Sequence, residues 1–210
     1  MKSNLIILTI AIFLASLIIG FWLTVFNFNW YREQFTALGV YDQLPKSRVD
    51  AQTKNLLAFF QDQAGLDQSF YSNREISHLV DIKNLLAGFK KVSWLVLSIV
   101  AGYFLLLTAK QRLNSRILFF SSALAAGAIL ILAGLIALFF NQLFLVFHQL
   151  AFANDYWQLD PAAEKLIVIF PPQLFLDLIA QFLIRAILIS LMIALVGEIA
   201  GRFFAKPAKF

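Results

Sequence analysis

What most constrains this chain is a set of four apolar stretches, each about as long as a bilayer is thick. A hydrocarbon core of about 30 Å takes roughly 20 helical residues at about 1.5 Å each. Residues 5–26 meet that length without a single charge. Residues 92–109 do so between Lys90-Lys91 and Lys110, and residues 118–147 and 174–200 complete the set. Composition agrees: 60% of the 210 residues are hydrophobic and 14% charged, against about 25% charged in soluble domains. The expected fold is an all-α membrane protein, four transmembrane helices with a small helical extracellular cap.

The first stretch has a rival reading as a signal peptide, whose apolar region runs about 7–15 residues before a small-residue cleavage site. This run is longer, and Phe21, Trp22, Trp30 and Tyr31 read as an aromatic interfacial belt at its outer end. An uncleaved first span is expected. Residues 32–91 then hold eight basic and seven acidic side chains in mixed order, the balance of a folded cap rather than a charged tail. Pro45 and Gly65 punctuate it. Val49, Leu56, Leu57, Phe59 and Phe60 give one helix an apolar edge. A second amphipathic helix is expected over 74–86, with Asn73 as its N-cap.

Short-loop Lys/Arg bias sets the orientation. Lys2, then Lys110, Arg112 and Arg116, then Arg202, Lys206 and Lys209 mark one side, whereas the segment between spans three and four has only Lys165. Both termini are therefore expected in the cytoplasm, with the cap and residues 148–173 outside. The domain division follows: 1–31, the first span and outer interface; 32–91, the cap; 92–147, spans two and three with their cytoplasmic loop; 148–173, the outer loop; 174–210, the fourth span and basic tail. The net charge of +5 suits this topology and anionic lipid headgroups rather than nucleic acid, since no soluble basic domain exists. With no cysteine, disulfides, thiol nucleophiles and Cys-ligated metals are excluded. Gly102, Gly127 and Gly134, with the alanines at 123, 125, 126 and 128, are expected to permit close helix contact.

Candidate chemistry gathers on the outer side. The chain has two histidines, His78 and His148, and two imidazoles with ordinary pKa near 6.5 can divide base and acid work at neutral pH. Glu75 and Asp81 flank His78 at helical spacing, and either is a candidate to hold a ring nitrogen. The bland alternative is a surface helix with ordinary charge pairs. Asn154, Asp155, Tyr156 and Trp157 follow His148 within one loop. A two-His, one-carboxylate metal site using Asp81, Asp155 or Asp160 is a weak rival, since no His-x-x-x-His pair is present. No Gly-x-Ser-x-Gly elbow supports a serine hydrolase. Asp177, Gln181 and Arg185 share one face of the fourth span, and are read as a structural ion pair with interhelical hydrogen bonds.

Two segments carry a resemblance. Residues 71–85, YSNREISHLVDIKNL, resemble the cap motif of the bacterial lipoprotein intramolecular transacylases. Phe147-His148, Asn154-Asp155, Trp157, Leu159-Asp160-Pro161 and the LI-x-x-FP run at 166–171 resemble that family's second motif. Glu164 stands where the family pattern has Asp, and Leu79 where it has Met. The resemblance implies an acyltransferase of the bacterial plasma membrane. It would move the sn-2 acyl chain of a diacylglyceryl-modified lipoprotein onto the amino group of its N-terminal cysteine, giving a lyso-form lipoprotein. It also implies His78 and His148 as the catalytic pair. Arg74, Glu75, Asp81, Asn154, Asp155, Tyr156 and Trp157 would bind or orient the substrate, with Phe147 and Phe152 as further wall residues. No cofactor, metal or nucleic acid is expected; the partners are the lipoprotein and membrane lipids, and the oligomeric state is left open. The alternatives are a metal-dependent membrane hydrolase and a non-enzymatic transport or assembly protein.

Overall fold

The computed structural model describes residues 2–110 and 113–204. Gln111, Arg112, Lys206 and Lys209 fall outside the described residues. The element order is α1 (Lys2–Val25), α2 (Phe28–Ala37), α3 (Val40–Gln43), α4 (Lys46–Phe60), α5 (Asn73–Ala109), α6 (Ser115–Ala151), α7 (Lys165–Ile169) and α8 (Pro172–Phe204). The described residues outside these helices form turns and connections. α1, α5, α6 and α8 are long and apolar enough to cross a membrane, so the protein is an all-helical integral membrane protein with four spans. Leu95, Leu105, Leu130, Ile131, Leu188 and Met192 all lie exposed along these helices. Such a density of bare apolar side chains is what a lipid solvent covers.

The chain divides into two compact units. One comprises Met1–Leu23, Val92–Ile136 and Ala180–Phe210, and is built on Leu8, Ile12, Leu107 and Ala125. Short side chains let its helices approach. A Cβ built on Gly20 would lie 2.6 Å from the Phe182 carbonyl oxygen, and one on Gly197 would lie 2.9 Å from Leu118. The Ser16 and Ser190 hydroxyls meet at 2.9 Å where both residues are fully buried. Gly102, Gly127 and Gly134, expected as contact points, face open space instead. Glycine composition reveals permission for contact; the partner decides where it is used.

The fourth-span polar line supplies an interhelical hydrogen bond of the kind expected, while Asp177 is engaged within its own helix. Arg185 donates to the Leu23 carbonyl at the end of α1. Asp177 accepts from Gln173 on its own helix at 2.9 Å.

The other unit comprises Thr24–Lys91 and Ala137–Ile179. Asn27 accepts from the Trp30 amide and so starts α2. The turn swings Trp30, Tyr31 and Phe35 inward, where they are buried with Val40, Val49, Leu56, Phe70 and Leu174. Trp30 and Tyr31 are thus core residues, not the interfacial belt expected from their position after the first span. Gly39 takes the left-handed conformation (φ 68°) that lets α3 follow α2 at once. On α4 the buried positions are 49, 52, 53, 56 and 57, one helical face that includes the expected Val49, Leu56 and Leu57 and adds Gln52 and Thr53, while Phe59 and Phe60 are half-buried.

Two helices run further than expected. α5 begins before the expected cap helix and continues through the second span without a break. Residues 86–92 contain Gly88 but no proline, and glycine alone costs only about 1 kcal/mol in a helix. α6 likewise reaches Ala151, past His148, with a kink at Phe139 (φ −118°, ψ 21°). The N-cap of α5 is Ser72 rather than Asn73. Ser72 Oγ accepts from the Glu75 amide, and the Glu75 carboxylate accepts from the Ser72 amide at 2.6 Å. This is a capping box.

Close packing at Gly20 makes a matched test. Gly20→Ala should destabilise the protein by about 1–3 kcal/mol through overpacking. Gly134→Ala, into open space, should be neutral or stabilising by up to about 1 kcal/mol. Thermal unfolding of both variants in detergent reads the difference.

Candidate active site

The second unit assembles the site from the start of α5 and the end of α6. His78 lies in the early, charged part of α5, ahead of the apolar stretch that begins at Val92. His148 lies in the last turn of α6. Their ring centroids are 6.2 Å apart, with 34° between the planes. The Phe152 ring packs against both, 5.0 Å from His78 and 5.7 Å from His148. The His148 ring also contacts Trp157 at 5.1 Å and, one turn back on its own helix, Phe144 at 4.3 Å. Phe147 meets it edge-on at 5.3 Å.

The two imidazoles are held differently. His148 Nδ1 lies 2.7 Å from the Phe144 carbonyl oxygen, one turn back on the same helix. A carbonyl only accepts, so Nδ1 carries the hydrogen and Nε2 of the neutral ring presents its lone pair. His78 is 6% exposed, and its Nδ1 is buried with no hydrogen-bond partner. Burial holds its pKa down at about 4, helped by the neighbouring His148 and opposed by Asp81. His78 is therefore neutral at pH 7. Buried N–H groups are orphaned more rarely than acceptors, which favours the tautomer with a bare Nδ1 and the hydrogen on Nε2.

The carboxylates flanking His78 do not hold its ring. Asp81 accepts from the Asn154 amide at 2.9 Å, so it acts on His78 by charge alone. Glu75 is 1% exposed and accepts from two backbone amides, Ser72 and Leu166, each at 2.6 Å. Leu166 is in the first turn of α7. One carboxylate thereby closes the starts of two helices.

The remaining candidates form the loop between α6 and α7. Arg74 donates to the Asp155 carbonyl at 2.5 Å, and Asn154 accepts from the Tyr156 amide at 3.0 Å. Arg74 and Asp81 are seven residues apart on α5, and each bonds the 154–155 segment. The loop that carries Trp157 is thus latched to the helix that carries His78. Asn154, expected to bind or orient the substrate, has one amide hydrogen engaged by Asp81. The Tyr156 side chain is exposed rather than packed on a histidine. Glu164, where the family pattern has Asp, accepts from the Asp160 amide at 2.7 Å and folds the turn before α7.

Sequence reasoning missed Ser72 and Phe144. Ser72-x-x-Glu75 is a readable capping box, and Phe144 stands four residues before His148, the helical spacing for a backbone acceptor. Among the described residues no three of His, Cys, Asp and Glu converge as a metal-binding group. The rival two-His, one-carboxylate set is therefore not assembled. An open surface cavity of about 500 Å³ is lined in part by Phe144 and Trp157, both of which contact the His148 ring.

A family model described as lipoprotein intramolecular transacylase Lit matches residues 6–175. The chain belongs to that family. As a Lit family member it is a membrane-integral acyltransferase. The solved structure of the membrane-integral lipoprotein intramolecular transacylase Lit from Bacillus cereus superposes with a TM-score of 0.81 at 21% identity, over 96% of each chain. A variant of that protein with a histidine-to-arginine mutation gives 0.80 at 20% identity, over 98% of this chain and 94% of the other. A histidine-to-alanine variant gives 0.79 at 20% identity, over 96% and 94%. These likenesses show a shared fold. No curated protein sequence matches.

Two measurements follow from this geometry. In the unfolded chain His78 takes up a proton near pH 6.5, but in the folded protein only near about 4. The unfolded state binds more protons between those values, so stability falls as pH drops from about 6.5 to about 4. His78→Gln should flatten that part of the Tm–pH profile. Glu75→Ala leaves two helix-start amides without their acceptor and should cost at least about 2 kcal/mol, read by thermal unfolding in detergent.

Proposed function

We propose that this protein moves the sn-2 acyl chain of a diacylglyceryl lipoprotein onto the α-amino group of its N-terminal cysteine. The product is a lyso-form lipoprotein. The observation that carries this reading is the pairing of the chain's two histidines at 6.2 Å, one with a free Nε2 lone pair and one buried and neutral.

The reaction needs three things: an unprotonated amine, a polarised carbonyl and a proton for the departing glyceryl oxygen. His148 Nε2 takes a proton from the attacking amine. His78, presenting Nε2–H, donates to the oxyanion that develops on the carbonyl. The amine nitrogen bonds to the acyl carbon, the carbon–oxygen ester bond breaks, and the proton held by His148 passes to the glyceryl oxygen. No co-reactant is required. Positioned acid–base groups contribute about 10²–10⁴-fold, whereas holding amine and ester of one molecule together contributes roughly 7–11 kcal/mol. Positioning therefore lowers the barrier more than proton transfer does. It falls to the aromatic walls, Phe152 and Trp157, and to the latch made by Arg74, Asp81, Asn154 and Asp155. Tyr156 lines the approach, and Glu75 orients His78 by setting the start of α5.

The same reading retains the membrane orientation and domain division drawn from the sequence. The Lys/Arg bias of the short loops supports cytoplasmic termini and an outer face bearing 32–91 and 148–173. The reacting lipids are those of the outer leaflet of a bacterial plasma membrane, and no cofactor enters the scheme.

His78→Ala and His148→Ala should each lower lyso-form product by about 10²-fold or more, measured by mass spectrometry of lipoprotein N-terminal peptides. Full turnover in either variant would overturn the paired mechanism. A metal-dependent hydrolase would instead release free fatty acid and be stopped by chelation. A non-enzymatic transporter would tolerate both changes and be disabled by Arg185→Leu.

A further inference from the structure

The cavity beside His148 has a chemical character that the acyl-transfer scheme leaves unused. Its lining mixes apolar residues, Phe144, Trp157 and Ile167 among them, with the polar Gln149, Gln158 and Asp160. Phe144 and Trp157 each contact the His148 ring, at 4.3 Å and 5.1 Å between centroids, so two walls of the cavity are also neighbours of the proposed base. Among the described residues no Lys or Arg lines it. Lys165, the one Lys or Arg among residues 148–173, is turned to the Phe70 carbonyl at 2.9 Å and lies over the Phe70 ring.

The carboxylate is held in place. Asp160 Oδ1 accepts from the Ala162 amide at 2.9 Å, and the Asp160 amide donates to Glu164 at 2.7 Å. Both bonds involve backbone groups of the turn, so neither brings a cation to the negative charge of Asp160. Gln158 donates to Asp155 at 3.2 Å, which leaves its carbonyl oxygen as an acceptor.

We infer that this cavity is the subsite for the amine-bearing peptide end of the lipopeptide, with Asp160 as its specificity-determining residue. The inference rests on the transacylase reading and extends it. An α-amino group has a pKa of about 7.7–8.0 and arrives mostly as ammonium at neutral pH. A carboxylate in a half-apolar cavity attracts that ammonium and brings it beside His148, which relays its extra proton to water and is neutral again when the amine attacks. The two glutamine amides match backbone N–H and C=O groups whatever side chains follow, as an enzyme acting on many lipoproteins requires. The apolar wall receives the cysteine methylene and thioether.

The same charge sets selectivity against the surrounding lipid. A membrane phospholipid carries the same diacylglyceryl group as the substrate, but an anionic phosphate where the lipopeptide has its cysteine. A cavity with a carboxylate and no cation repels that phosphate. Selectivity for lipopeptide over bulk phospholipid is then a matter of headgroup charge rather than acyl-chain fit.

The test uses the full-length protein in zwitterionic vesicles and an ether-linked dialkylglyceryl-cysteinyl tetrapeptide, whose chains cannot be transferred. Kd is measured for this probe with a free amine and with an acetylated amine. The wild-type protein should bind the free-amine form about tenfold more tightly. Asp160→Asn, which keeps the Oδ1 acceptor for Ala162, should bring the ratio to about one. Asp160→Lys should make added phosphatidylglycerol a competitor that it is not for the wild type. Gln158→Trp, filling the cavity, should weaken both forms. Equal binding of the two probes by the wild type, an unchanged ratio in Asp160→Asn, or unchanged affinities in Gln158→Trp would each overturn the subsite. Failure of the acyl-transfer reading looks different: an ester-linked lipopeptide gives no lyso-form product while the amine preference stands.

Discussion

One buried carboxylate underlies the geometry of the site. Glu75 accepts from the amides of Ser72 and Leu166, and so joins the first turn of α5 to the first turn of α7. His78 follows on α5 less than one turn after Glu75, and the loop bearing Trp157 leads into α7. Fixing these two helix starts fixes where the imidazole and its aromatic cover can lie. A carboxylate serves this purpose because helix N-termini present unsatisfied N–H groups and a partial positive charge. The carboxylate is almost fully buried, and the exclusion of water strengthens both bonds.

Within that frame the two histidines are differentiated by their neighbours. His148 receives a backbone acceptor from its own helix, which assigns its tautomer and frees Nε2. His78 receives no partner at Nδ1 and is buried among apolar rings, which keeps it neutral. Two identical side chains thereby become an acceptor and a donor at the same pH. The Asp81–Asn154 and Arg74–Asp155 bonds hold the loop against α5, so the aromatic wall stays in register with both rings. In the proposed peptide subsite, Asp160 stands further along the same loop.

The four spans were legible because bilayer thickness sets a length that a composition window detects directly. The face of α4 was legible in part: Val49, Leu56 and Leu57 are buried as expected, whereas Phe59 and Phe60 are half-buried and the polar Gln52 and Thr53 complete the buried face. The convergence of His78 and His148 was not deducible from spacing alone: they stand seventy positions apart, near the far ends of two long helices. Resemblance brought the two motifs together, and the fold gives them a common site. The misreadings have specific causes. Trp30 and Tyr31 look like interfacial anchors because they follow a span, but the Asn27 cap turns them into the core. The expected break before Val92 does not occur, because Lys90-Lys91 mark where charge ends, not where helix ends. Glu75 looked like a partner for His78 by spacing, whereas its carboxylate satisfies buried amides whose need only the folded loop reveals.

The central claim is that the acyl chain passes within one molecule from ester oxygen to cysteine nitrogen between two imidazoles. It is tested most directly with a lipopeptide labelled with carbon-13 in the sn-2 acyl chain, mixed with unlabelled lipopeptide of different peptide mass. Mass spectrometry after incubation with the purified protein in vesicles should place the label as an amide on the cysteine of its own peptide. Loss of either histidine should leave the label in the ester. Label recovered as free fatty acid, or on the other peptide, would contradict the account.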